Sequence, residues 1–66
     1  MRITINGQTK NIDGNQNIAA MVEGLGANKK HIIAELNGTI VPGTDWAGTL
    51  LKDGDTIELV AFVGGG

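Results

Sequence analysis

Few residues in this chain could do chemistry, and the spacing of most rules them out. Of 66 residues, one is histidine and none is cysteine. Without a thiol there is no disulfide, no thiolate metal ligand and no side-chain sulfur nucleophile. His31 follows Lys29-Lys30 with no carboxylate placed to orient it, so it reads as a solvated loop position and not a general base. Asp53 and Asp55 flank Gly54 but lack the spaced oxygen donors and distal Glu of a calcium loop, and turn chemistry accounts for them. Lys29-Lys30 reads as solvated surface.

What remains is the ending Phe62-Val63-Gly64-Gly65-Gly66. Glycine has no Cβ, so such an arm can lie extended in a narrow channel and leave a terminal carboxylate sterically open. Four residues from Val63 reach about 13 Å at ~3.3 Å each, enough to enter a buried site while the body stays outside. A carboxylate is a poor electrophile until ATP converts it to an acyl-adenylate, which a water-excluding channel protects. A sulfur donor can then displace AMP, leaving a thiocarboxylate that holds sulfur without any cysteine on the carrier. The competing reading is that the glycines are only a frayed terminus; their junction with an apolar strand favours function.

The elements that must position this arm follow from pattern. Met1, Ile3 and Ile5 alternate with polar residues as one face of a half-buried strand. Asn6-Gly7 suits a type I′ turn, returning Gln8 to Ile12 as the second strand of a hairpin that Asp13-Gly14 ends. Ile18, Met21, Val22 and Leu25 fall on one helical stripe, with Asn17 as N-cap and Gly26 closing the far end. Ile32 to Asn37 and Thr39 to Val41 flank a second Asn-Gly, Asn37-Gly38, and Pro42 stops their pairing. Trp46 begins a helical turn leading to Leu50 and Leu51 and plugs the core, and Lys52 to Asp55 is a polar turn.

Thr56 to Val63 is the longest strand. Ile57, Leu59 and Ala61 share one face, while Val60 and Phe62 point the other way, toward either a docking partner or a second core layer.

The order β-β-α-β-β-β with a single helix is that of an α+β β-grasp fold, a mixed sheet of four to five strands across one helix. The last strand lies parallel beside the first and projects the C-terminus outward. One domain is expected, with residues 1–62 as its body and 63–66 as a flexible tail. At 41% hydrophobic residues the chain fills one thin core and no enclosed active site. A net charge of −2 argues against nucleic acid as partner. No segment suits a membrane span or signal sequence, so a soluble, cytoplasmic protein, monomeric when free, is expected.

In the opening strand ending Asn6-Gly7, in Ile40-Val41-Pro42 with Trp46-Ala47, in Asp53-Gly54-Asp55 before Ile57, and above all in Phe62-Val63-Gly64-Gly65-Gly66, the chain resembles the ThiS family of ubiquitin-like, thiamin-biosynthesis sulfur carriers. The resemblance spans essentially the whole chain. It implies a protein that is not itself an enzyme and binds no cofactor. A ubiquitin-activator-like enzyme would use ATP to adenylate Gly66, a cysteine desulfurase system would supply sulfur, and thiazole synthase would receive it. Gly64 and Gly65 would thread the partners' channels, with Val63, Phe62 and Val60 as further contacts. Gly43 departs from the Arg that members often carry after the proline, so this chain brings no side-chain charge to that position. Related carriers for molybdopterin and cysteine synthesis set one alternative; a stand-alone β-grasp binding module, which needs no diglycine end, sets another.

Overall fold

Both Asn-Gly dipeptides turn the chain as their chemistry dictates. Asn6 and Gly7 have φ of 48° and 81°, and Asn37 and Gly38 have 52° and 86°, the left-handed pairs that match the twist of a tight hairpin. In the computed structural model, which describes residues 1–26 and 29–62, these turns join β1 (Arg2–Ile5) to β2 (Gln8–Asn11) and β3 (Ile32–Leu36) to β4 (Thr39–Val41). A third unit, β5 (Thr56–Ala61), enters between the hairpins. The resulting sheet has the order β2-β1-β5-β3-β4, with β5 parallel to β1 and antiparallel to β3. This is the mixed β-grasp sheet expected, with five strands.

One helix, α1 (Ile18–Gly24), covers one face. Its first turn is capped by Asn17, whose Oδ1 accepts from the Ala20 N–H at 2.8 Å, satisfying a donor with no partner inside the helix. The stripe Ile18, Met21, Val22 is buried, but it does not extend to Leu25 as the spacing predicts. The helix ends at Gly24, Leu25 serves as its C-cap, and Gly26 at φ 73° reverses the chain. Leu25 is therefore 47% exposed.

The core joins Ile3 and Ile5 of β1, the α1 stripe, Ala34 of β3 and Ile57 of β5. Trp46 and Leu51 close it from below. Trp46 sits in the 3-10 segment Gly43–Gly48, a turn that begins before it, and its Nε1 donates to the Val41 carbonyl at 2.8 Å. The indole thus buries its rings without stranding its N–H. Leu50, next to Leu51 in sequence, stays exposed. A Cβ at Gly43 would meet only Trp46 Cε2 at 4.0 Å, so packing does not demand glycine there.

Candidate functional site

Strand β5 leads to the glycine arm, and it is held with unusual care. Asn6 and Asn37, besides turning the two hairpins, both reach across to it. Asn6 Oδ1 accepts from the Leu59 N–H at 2.7 Å, and Asn37 Oδ1 accepts from the Thr56 N–H at 2.9 Å. Asn37 Nδ2 also donates to Asp55 Oδ1 at 3.0 Å, and Asp55 Oδ2 accepts from the Lys52 N–H at 2.8 Å. The preceding turn is pinned to β1, where the Arg2 N–H donates to Asp53 Oδ1 at 2.7 Å. The Asp-Gly-Asp turn is therefore a clasp for the start of the strand.

At the other end the strand stops at Ala61, earlier than the Val63 predicted. Phe62 lies beyond it, yet its N–H donates to the His31 carbonyl at 2.8 Å, and its ring meets the His31 imidazole edge-on with centroids 5.9 Å apart. His31 is accordingly half-buried, not a solvated loop residue. Its place in the 3-10 segment Lys29–His31, directly before β3, sets it against the root of the arm. Val63, Gly64, Gly65 and Gly66 lie outside the described residues.

The two roles left open for Val60 and Phe62 now separate. Paired residues on neighbouring strands share a face, and successive residues alternate. Ile57 of β5 belongs to the buried face with α1, so Val60 belongs to the opposite one, where it is 51% exposed; Phe62 is 42% exposed. Among the described residues no second layer covers them. Val60 stands opposite Ile33, and Glu35 opposite Ile40, so Ile33 and Ile40 join the same outer surface. Sequence reasoning missed these two isoleucines, although the Asn37-Gly38 hairpin register could have placed them.

This outer face offers apolar contact area. Among the described residues, no group of three or more His, Cys, Asp or Glu could hold a metal, and no side-chain polar atom is buried without a partner. An open groove of about 340 Å³ between β2 and α1, lined by Ile12, Met21 and Lys10 among others, lies on the helix side of the sheet. No helix among the described residues is long and apolar enough to cross a membrane.

The ThiS family model matches residues 3–66. The chain belongs to the ThiS family. Its structure superposes on the crystal structure of the thiamine biosynthesis protein ThiS from Geobacter metallireducens with a TM-score of 0.86, at 33% identity and with all of both chains covered. The chain is also 36% identical over 66 residues to a thiazole synthase of Paramagnetospirillum magneticum, and 31% identical over 64 residues to the ycf40 protein of Porphyra purpurea. It covers 90% of ycf40 but only 20% of the thiazole synthase, whose polypeptide thus contains a ThiS-like segment within a much longer chain.

Proposed function

We propose that this ThiS protein carries sulfur as a thiocarboxylate on Gly66 and delivers it to thiazole synthase. The observation that carries the reading is the geometry of the arm's root. The central strand is clasped at its start and anchored at Phe62 by His31, and the sequence that follows reads Val63-Gly64-Gly65-Gly66.

The Gly66 carboxylate attacks the α-phosphorus of ATP within an adenylating partner, forming an acyl-adenylate and releasing pyrophosphate. The outer sulfur of a persulfide formed by a cysteine desulfurase then attacks the acyl carbon and AMP leaves, and a second thiol cleaves the resulting acyl disulfide, forming a disulfide with the donor's sulfur and releasing the thiocarboxylate. The resulting thiocarboxylate sulfur is the nucleophile that thiazole synthase consumes. The ThiS protein is substrate and donor in these steps, and its partners are the catalysts; it holds no cofactor, and its setting is the cytoplasm, where ATP is plentiful.

Gly64 and Gly65 give the arm its narrow cross-section. The apolar outer face of Ile33, Ile40, Val60 and Phe62 docks the body against the partner. The occurrence of a ThiS-like segment inside a thiazole synthase chain supports that enzyme as the receiver.

The test is intact-protein mass spectrometry after incubation with ATP, the adenylating enzyme and a sulfur source. The full chain should gain the mass of one oxygen-to-sulfur exchange, and a chain lacking Gly66 should gain nothing. Activity retained by the shortened chain would instead favour a binding module that does not use its terminus.

A further inference from the structure

The outer face of the sheet contains one cross-strand pair that the isolated fold does not favour. Glu35 on β3 stands directly opposite Glu58 on β5. Cβ atoms of directly opposed residues are about 5 Å apart, and like charges so placed destabilise a sheet. No other strand pairing recorded for the sheet opposes two charged residues. Glu35 is half-buried and Glu58 exposed, and neither carboxylate has a cationic partner among the described residues.

The position of the pair gives it meaning. Ile40 flanks Glu35 on the β4 side, and Ile33 and Val60 occupy the neighbouring outward positions on β3 and β5. A partner that covered only the apolar residues would strip water from two unpaired carboxylates, an unfavourable transfer. The occupant must therefore bring positive charge into an otherwise apolar contact. A guanidinium suits this best, because its planar fork of donors can serve two carboxylates at once and it is more weakly hydrated than an ammonium.

We propose that Glu35 and Glu58 are the polar centre of the docking face and receive an arginine side chain from thiazole synthase. The inference takes its partner from the carrier reading above. The pair then trades some stability of the free ThiS protein for recognition, since the repulsion is relieved only in the complex.

The experiment titrates thiazole synthase with the wild-type chain and with the Glu35→Gln/Glu58→Gln double variant at low and high salt, and records the thermal melting of each chain alone. The double variant should melt at or above the wild-type temperature, bind about tenfold more weakly, and lose most of the salt dependence of binding. Conversion of the wild-type chain to thiocarboxylate is measured in parallel, so failure of the carrier reading would register separately, as a wild-type chain that gains no mass. Equal or tighter binding by the double variant would overturn the proposal. So would a lower melting temperature, because it would mean that the pair stabilises the free sheet.

Discussion

Three residues apart on β5, Ile57 is fully buried and Val60 is 51% exposed. Both are β-branched and apolar, both suit a strand, and nothing in their side-chain chemistry distinguishes them. The difference lies in what stands over each face. The inner face meets α1, Trp46 and Leu51; the outer one presents Ile33, Ile40 and Phe62 together with two carboxylates. One strand thus turns one apolar face to the core and another to solvent, which teaches that hydrophobicity alone does not mark the core of so small a sheet.

Substitutions on the two faces should therefore separate two readouts. The largest effect is expected from Ile57→Ala, which opens a cavity at the centre of the core and should reduce unfolding free energy by about 3 kcal/mol, measured by chemical denaturation. Next is Val60→Asp, which should leave stability within about 0.5 kcal/mol. It should weaken binding to thiazole synthase about tenfold, equivalent to about 1.4 kcal/mol. A large loss of stability in this variant would erase the distinction between the faces. The smallest effect is expected from Asn37→Gly, which preserves the positive φ of the turn but removes the Oδ1 that accepts from Thr56. It should cost about 1 kcal/mol of stability and leave the partner affinity of the folded protein unchanged, since Asn37 anchors the strand without belonging to the apolar outer patch.

Much of this arrangement is legible in the residues themselves. Asn-Gly at two positions specifies two hairpins, and the alternation of Ile3, Ile5 and Ile57 specifies the buried face, because turn sterics and side-chain parity are local properties. Asn17 is legible as a cap for the same reason. Leu25 is not, since a helical stripe does not reveal where backbone reversal at Gly26 overrides it. The His31 contact with Phe62 and the opposition of Glu35 to Glu58 were also hidden. Both join residues far apart in sequence, and they depend on the register of β3 against β5, which no single segment encodes.

The lone indole has a practical consequence. Trp46 is sealed among core residues with its N–H committed to Val41, and it lies on the helix side of the sheet, away from Val60. Its fluorescence should therefore report the collapse of the fold and remain nearly silent when a partner settles on the far side, so the two events can be followed in one sample with different probes. Emission that tracks unfolding but not titration is the optical signature expected of a body that stays rigid when a partner docks.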